Sequence, residues 1–369
     1  MNIAALVRPL RKEHLVDTLN KQEFMLDCNR PRQEPDPRVS LSDSSANWHL
    51  LAEQVLLGYS LSRDEGLNIL RSSDDELLDL LAAAYRIRRH WFGRRVDLNF
   101  LINAKSGDCS ENCSYCSQSR VSSAAISKHK MLPDAEILAG AKTAFARGAK
   151  TYCIATSGRT LADGELAIIR RVVPEIKQQY PLAICMSPGL LDMESAVQLK
   201  ACGVDRVNHN LNTSERYYPI ICSTHSYNDR LATLRAAREA GLSLCSGGIV
   251  GMGEEPADVV DLAMQLRGLE VEAIPVNFLQ PIAGTPLQGA CHLTPQYCLK
   301  VLAMFRLANP QCELRIAAGR EMHLRSLQPL GLYVANSIFM GDYLTTKGQP
   351  CEEDHRMIED LGFDSRVLP

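Results

Sequence analysis

The sequence has no apolar run long enough to cross a membrane and no excess of charge of either sign. A membrane-spanning helix needs about 20 consecutive apolar residues, and a net charge of −3 over 369 residues favours neither nucleic acid nor an anionic membrane as a partner. A repeat with a period of about 20–50 residues is also lacking, which argues against solenoid and propeller folds. The composition is that of an ordinary globular protein, with 46% hydrophobic and 22% charged residues.

The N-terminus lacks the apolar core of a signal peptide. Met1–Leu10 contains no long apolar stretch, and Arg11, Lys12 and Glu13 follow it directly. We therefore expect a cytoplasmic protein, in a reducing compartment where disulfides are rare. The sequence nevertheless contains 13 cysteines. In that setting a high cysteine count indicates metal binding or catalysis.

The chain divides by pattern into four segments. Residues 1–45 contain several prolines and no sustained periodicity, which predicts a disordered tail. Their acidic residues argue against a mitochondrial transit peptide. Residues 46–95 carry leucines at helical spacing and predict an N-terminal helical segment. A barrel domain is expected over 96–345, and a C-terminal helix and tail over 346–369.

Strand-like and helix-like segments alternate from Val96 onward. The predicted strands are 96–105, 150–157, 182–187, 205–212, 242–250, 273–279, 312–318 and 336–342. Helical patterns such as Ala135–Arg147, Leu166–Gln179 and Gln296–Leu307 lie between them. This alternation is typical of an α/β fold of the (β/α)8 TIM-barrel type. A doubly wound sheet is the alternative, but it normally has fewer strands and encloses no interior.

One face of nearly every predicted strand is apolar, and the other is polar or small. In the fourth strand one face carries Val207 and Leu211, and the other carries Asn208, Asn210 and Asn212. The apolar face is expected to meet the helices, so the amides point into the barrel. Each amide buried without a partner would cost about 1–3 kcal/mol. The pattern therefore predicts a polar guest inside the barrel.

Three cysteines belong to the inward set. Cys153, Cys185 and Cys245 alternate with apolar residues on three different predicted strands, and their neighbours on the same face are small. Arg315 takes the equivalent position on a fourth strand. A buried cysteine is also a common core filler. That alternative is weaker for three cysteines facing one polar cavity.

The sharpest motif is Cys109-Ser-Glu-Asn-Cys113-Ser-Tyr115-Cys116, which follows the first predicted barrel strand. Barrel active sites form in such loops. Three thiolates at this spacing can bind a soft metal or an iron–sulfur cluster. A closed structural zinc site needs four ligands, and the nearest other cysteine or histidine along the chain is His129. Three ligands on a four-iron cluster leave one iron open for a substrate.

The spacing CxxxCxxC with an aromatic residue before the last cysteine is the hallmark of the radical S-adenosylmethionine (SAM) superfamily. Other segments make the sequence resemble the biotin synthase family from about Trp48 to Phe363, but not over the first 45 residues. These segments are Asn103–Cys109, Val207–Ser214, Cys245–Gly251, Pro275–Leu279, Gly284–Leu287, Arg315–Glu321 and Asn336–Asp342.

The resemblance implies two iron–sulfur clusters. The motif cysteines would hold a 4Fe-4S cluster that reductively cleaves SAM to a 5′-deoxyadenosyl radical. Cys153, Cys185, Cys245 and Arg315 match the ligands of a 2Fe-2S cluster. The radical would abstract hydrogen from C9 and C6 of dethiobiotin, and the second cluster would supply the sulfur of biotin. Without the resemblance, Arg315 would be interpreted as a carboxylate or phosphate binder, since a guanidinium normally stays protonated.

The resemblance also implies contacts to small molecules and proteins. Tyr115, Asn210, Asn212 and Glu254 would line the SAM pocket, and Asn208 and Asn277 would hold SAM or dethiobiotin. Some members of the family carry Asp where Asn212 stands, so a charged contact to the ribose is replaced here by a neutral one. An electron donor such as flavodoxin or ferredoxin and a homodimer are expected.

Several alternatives remain open at this point. The chain could be another radical SAM enzyme of the same barrel subfamily, which would need only the first cluster, or a non-catalytic metal-binding scaffold. His209 could be a base, but it shares a face with Val207 and Leu211, which favours a structural role. The remaining cysteines fit no ligand pattern and are interpreted as core or surface thiols: Cys28, Cys202, Cys222, Cys291, Cys298, Cys312 and Cys351.

Overall fold

Parallel strands form a central barrel in the computed structural model, which describes residues 47–290 and 293–365. The strands are β1 Asp97–Lys105, β2 Thr151–Thr156, β3 Ala183–Ser187, β4 Arg206–Asn208, β5 Ser243–Cys245, β6 Gly248–Val250, β7 Ala273–Phe278, β8 Glu313–Ile316 and β9 Ser337–Phe339. Each lies within a predicted strand. The predicted tail over 1–45 lies outside the described residues, as do Cys28 and Cys291.

The barrel closes through eight strand positions. β1 pairs with β2 and β9, and pairing continues around both sides until β5 meets β7. The predicted strand 242–250 is divided into β5 and β6, which both pair with β7. The break lies at Gly247, whose N–H donates to the side chain of Asn210 at 3.0 Å instead of to a neighbouring strand. A Cβ at Gly247 would lie 2.0 Å from the carbonyl oxygen of Pro275, so only glycine fits there.

Helices cover the outside of the barrel. They are α1 Trp48–Leu56, α2 Arg63–Arg71, α3 Leu77–Phe92, α4 Asp134–Ala146, α5 Asp163–Gln179, α6 Met193–Ala201, α7 Tyr218–Ile221, α8 Tyr227–Glu239, α9 Pro256–Gly268, α10 Pro295–Ala308, α11 Arg320–Leu324, α12 Gln328–Leu332 and α13 Cys351–Asp360. Within the described part of the chain, no helix is long and apolar enough to span a membrane.

The N-terminal helices are continuous with the core of the barrel. The leucines that predicted them, among them Leu51, Leu70 and Leu80, are buried, and α2 and α3 pack against α9 and α10. A capping box starts α2: the Ser62 hydroxyl accepts from the backbone of Glu65, whose carboxylate accepts from the backbone of Ser62. The apolar faces of the strands meet the helices as the alternation predicts, with Val207 and Leu211 fully buried.

Candidate active site

One cavity of about 400 Å³ connects the loop after β1 with the inside of the barrel. Its lining includes all three motif cysteines, Cys153, Arg315 and the predicted asparagines Asn208, Asn210, Asn212 and Asn277. Loops that follow the carboxyl ends of parallel barrel strands meet at one mouth, which explains why segments far apart in sequence converge here.

The motif loop is held in place by backbone hydrogen bonds. The N–H of Cys109 donates to Gln118 at 3.3 Å, that of Cys116 to Cys113 at 3.2 Å, and that of Ser114 to Ile221 at 2.9 Å. Burial raises the pKa of the Cys116 thiol. Burial keeps such a thiol protonated when no cation is nearby. A bound metal cation reverses this, because the metal binds the deprotonated thiolate.

The motif has a neighbour in space that its spacing did not reveal. Cys222 lies 3.7 Å from Cys113, measured between the two sulfurs, and His225 lies beside Cys222. The expectation that no further cysteine or histidine lies near the motif holds along the chain but is wrong in three dimensions. The two sulfurs are 109 residues apart in sequence, so spacing alone carried no signal for this contact.

The three inward cysteines form a second cluster deeper in the barrel. Cys153 and Cys185 are direct partners across β2 and β3, and Cys245 on β5 packs against both, with Leu101 and Phe339 covering the group. All three are buried. Hydrogen bonding to Cys185 and burial raise the pKa of Cys245 well above its ordinary value. Three sulfurs that converge from three strands suit a soft metal centre better than ordinary core packing.

Arg315 faces this cysteine cluster with one nitrogen. Its Nη1 lies 3.9 Å from the sulfur of Cys245, while Nη2 donates to Glu313 at 2.5 Å and Nε to Ser337 at 3.3 Å. Glu313 also accepts from Arg206 of β4 at 2.8 Å. Burial alone would raise the pKa of Glu313, but the guanidiniums of Arg315 and Arg206 lower it far below its usual range.

The cavity asparagines divide into satisfied and unsatisfied groups. The oxygens Oδ1 of Asn103 and Asn208 are buried and have no hydrogen-bond partner. Asn277, in contrast, donates to Gly248 at 3.0 Å and accepts from the N–H of Ala318 at 3.2 Å. Because buried carbonyl oxygens are normally paired, the two orphaned oxygens mark where a polar ligand would be held.

Of three further predicted residues, Tyr115 and Asn212 line the cavity and Glu254 does not. Asn212, at a φ of 72°, donates to the hydroxyl of Tyr115 at 2.7 Å, so both line the same wall. Glu254 is placed differently, since it lines a separate cavity and its carboxylate accepts from the backbone of Gly251 and Met252. The structure therefore does not bring Glu254 to the predicted SAM pocket. Its carboxylate instead shapes the loop after β6.

His209 is buried against α8. Its Nε2 lies 3.5 Å from Arg230, and burial, with the charge of Arg230, lowers its pKa well below the ordinary histidine value. An imidazole that stays neutral next to a guanidinium agrees with the structural role expected from the sequence.

Comparison with curated proteins decides the family. The chain is 56% identical over 317 residues to a biotin synthase of Rhodopirellula baltica, which covers 86% of this chain and 88% of the relative. It is 54% identical to a biotin synthase of Geobacillus thermodenitrificans, over 88% of this chain and 97% of the relative. A Bacillus subtilis biotin synthase is 52% identical, over 86% and 95%.

The chain belongs to the biotin synthase family.

Domain matches agree with this assignment. Residues 105–266 match the Radical SAM superfamily, and residues 275–364 match the Biotin and Thiamin Synthesis associated domain. The second match includes most of β7 and all of β8 and β9, so the barrel is shared between the two.

Solved structures of low sequence identity share the biotin synthase fold. A methylornithine synthase superposes with a TM-score of 0.75 at 21% identity, over 86% of this chain and 97% of that one. An FeFe-hydrogenase maturase from Carboxydothermus hydrogenoformans gives 0.74 at 17% identity, over 86% and 78%. These similarities establish the closed (β/α)8 barrel and nothing about substrate.

The described residues fit the cofactors of the biotin synthase family. Membership in the radical SAM superfamily implies a 4Fe-4S cluster and SAM. The three motif cysteines supply a soft donor set on the wall of the cavity, and the orphaned amide oxygens of Asn103 and Asn208 supply unfilled hydrogen-bond acceptors beside it.

Proposed function

We propose that the chain converts dethiobiotin to biotin by radical SAM sulfur insertion. The observation that carries the proposal is a single cavity lined by the three motif cysteines in the loop after β1 and by Cys153, behind which Cys185 and Cys245 pack on β3 and β5. A radical SAM enzyme that used one cluster would need only the first set. The second set therefore favours sulfur insertion over the other reactions of the superfamily.

Each cysteine set is assigned a cluster in this proposal. Cys109, Cys113 and Cys116 hold the 4Fe-4S cluster, and Cys153, Cys185 and Cys245 with Arg315 hold a 2Fe-2S cluster. When bound, these groups supply a 5′-deoxyadenosyl radical from SAM and the sulfur atom of the product. The protein contributes binding, orientation and shielding.

Residues around the cavity position the small molecules. Tyr115, Asn210 and Asn212 contact SAM on the wall next to the motif loop. Asn208 and Asn277 contact SAM or dethiobiotin, and the free Oδ1 of Asn208 suits a donor such as a ureido N–H. Leu101 and Phe339 cover the inner cysteines and keep water away from a reactive centre.

The ion pair with Glu313 limits how well Arg315 can bind iron. A protonated guanidinium has no free lone pair, and the Glu313 carboxylate favours the protonated form. To bind iron through Nη1, the nitrogen that faces Cys245, Arg315 must lose a proton. The negative charge of Glu313 opposes that loss. The cysteines are therefore the stronger ligands.

Several further properties belong to the same proposal. The enzyme is a cytoplasmic homodimer that receives electrons from a flavodoxin or ferredoxin. Residues 1–45 form a dispensable tail, 46–95 a helical segment, 96–345 the barrel, and 346–369 a C-terminal helix and tail.

Anaerobic reconstitution of the full chain tests the proposal. Iron, sulfide and zinc are measured together with electron paramagnetic resonance and Mössbauer spectra. Two spectroscopically distinct clusters per chain, and biotin formed from dethiobiotin, are expected. Iron near four per chain with a single cluster species would contradict the second site, and stoichiometric zinc without iron would contradict both.

A further inference from the structure

Cys222 is a second thiol at the motif cysteine Cys113. The two sulfurs lie 3.7 Å apart, and the side chains are 4% and 8% exposed, so solvent does not separate them. Cys222 directly follows α7, whose last residue Ile221 accepts a hydrogen bond from the backbone N–H of Ser114 at 2.9 Å. The contact between the sulfurs is thus built into the way the motif loop is anchored.

The segment after α7 clamps the motif loop through Asn112. The Asn112 amide oxygen accepts from the backbone N–H groups of Ser223 at 3.0 Å and Thr224 at 3.2 Å. Its Nδ2 donates to the Ser223 hydroxyl at 2.7 Å, and its backbone N–H donates to the Thr224 hydroxyl at 3.1 Å. Four hydrogen bonds to one residue fix the position of Cys222 relative to Cys113.

The neighbouring His225 does not make this a metal site. The ligand atoms of Cys113, Cys222 and His225 lie within 4.8 Å of one another. Yet Nε2 of His225 lies 2.9 Å from Nη2 of Arg230, which can only donate, so Nε2 accepts and the ring proton is on Nδ1. That N–H donates to Glu111 at 2.5 Å. Both nitrogens are engaged, and the Arg230 cation would repel a metal ion.

The acceptors around the Cys222 sulfur indicate where its S–H proton is donated. Its possible acceptors are the Asn112 amide oxygen at 3.4 Å, the Thr224 hydroxyl at 3.6 Å and, once Cys113 is a metal-bound thiolate without a proton of its own, the Cys113 sulfur at 3.7 Å. The amide oxygen has two lone pairs, and two shorter backbone N–H bonds already occupy them. The Thr224 hydroxyl is neutral and already accepts from the backbone N–H of Asn112, whereas a cluster-bound Cys113 sulfur is anionic and is therefore the stronger acceptor.

We infer that Cys222 is a positioning residue whose S–H donates to the Cys113 sulfur and raises the reduction potential of the first cluster. The inference rests on the proposed function, because it takes Cys113 as a cluster ligand. A hydrogen bond to a cluster thiolate stabilises the more negative, reduced state, and such bonds are among the determinants of iron–sulfur potentials. A higher potential makes the cluster easier to reduce before SAM is cleaved.

Reduction potentials of the reconstituted full chain test this inference. The parent, Cys222→Ala, Cys222→Ser and Cys202→Ala proteins are titrated anaerobically, and the reduced first cluster is followed by electron paramagnetic resonance. Cys222→Ala removes the donor, so its potential should be lower than that of the parent. Cys222→Ser keeps a donor and should recover part or all of the shift. Cys202, whose thiol donates to the backbone of Leu199, is the matched control and should show no shift.

An unchanged potential in Cys222→Ala with an intact 4Fe-4S signal overturns the inference. If alanine prevents cluster assembly, Cys222→Val, which fills the volume without a donor, takes its place in the same titration. Assembly in Cys222→Ser but in neither apolar variant also overturns it, since Cys222 would then be required for assembly and not for the potential. Absence of a 4Fe-4S cluster from the parent would instead count against the proposed function.

Discussion

The carboxylate of Glu313 accepts a hydrogen bond from Nη2 of Arg315 at 2.5 Å. The same carboxylate pairs with Arg206 from the other side. One buried anion therefore compensates two cations and leaves only Nη1 of Arg315 directed toward Cys245.

Glu313→Gln should destabilise the fold. Removing one member of a buried ion pair costs about 3–5 kcal/mol because the remaining charges stay buried without compensation. Urea-induced unfolding under anaerobic conditions measures the loss. Asp261→Asn is the control, since the Arg63–Asp261 pair is 51% and 40% exposed and such pairs contribute about 0–1 kcal/mol. Equal effects of the two substitutions would show that the buried group of Glu313, Arg206 and Arg315 contributes no more stability than an exposed ion pair.

The same pair predicts a dependence of stability on pH. The pKa of Glu313 is lowered in the folded protein from an ordinary value of 4.5. Its stabilisation is therefore complete above about pH 4.5 and is lost as the pH falls toward the folded pKa. The difference in unfolding free energy between parent and Glu313→Gln should shrink below that pH. A difference that stays constant down to pH 3 would contradict the assignment.

Arg315→Met should be tolerated better than Cys245→Ser. Iron prefers soft sulfur ligands, and the Glu313 carboxylate works against the deprotonation that Arg315 needs to bind iron. The iron content of the second cluster and the rate of biotin formation are the measurements. Equal and complete loss in both variants would mean that Arg315 is as important a ligand as the thiolate.

Asn212→Gly should weaken SAM binding by about tenfold, the factor that corresponds to one lost hydrogen bond of about 1.4 kcal/mol, because glycine removes the amide but adopts the observed φ of 72° without strain. Asn212→Asp keeps an acceptor and a residue that tolerates the observed φ of 72°, so it should bind SAM nearly as well as the parent. Equilibrium dialysis with the clustered enzyme measures both. Unchanged affinity in the glycine variant would remove Asn212 from the SAM site.

Much of the barrel was predictable because its signal is local. Alternating residues such as Val207 and Asn208 indicate which face of a strand meets the helices. The motif cysteines Cys109, Cys113 and Cys116 lie within a single loop. The division of β5 from β6 was missed because it depends on the approach of Gly247 to Pro275 on another strand.

Contacts between distant segments account for what the sequence did not reveal. Cys222 was interpreted as an ordinary thiol, yet the anchoring of the motif loop on α7 brings it to Cys113. Glu313 belongs to no recognisable motif. Its pairing with Arg206 depends on the approach of β4 and β8 in the folded barrel. The resemblance to the family predicts a SAM contact for Glu254, whereas its carboxylate accepts from the backbone of Gly251 and Met252 in its own loop.

Truncation of residues 1–45 should leave folding and turnover nearly unchanged, because the segment offers no apolar periodicity with which to join a core. Thermal unfolding and biotin formation by the shortened chain are the measurements. Loss of soluble protein or of turnover would show that the segment docks on the rest of the chain.

The most direct test of the account measures 5′-deoxyadenosine and biotin in the same anaerobic reaction with dethiobiotin. Cys153→Ser, Cys185→Ser and Cys245→Ser should still cleave SAM under strong reductant but make little or no biotin, because only the inner cysteine cluster is altered. Cys113→Ser should abolish both products. Biotin formation at the parent rate by the three inner variants would contradict the assignment of the second cluster.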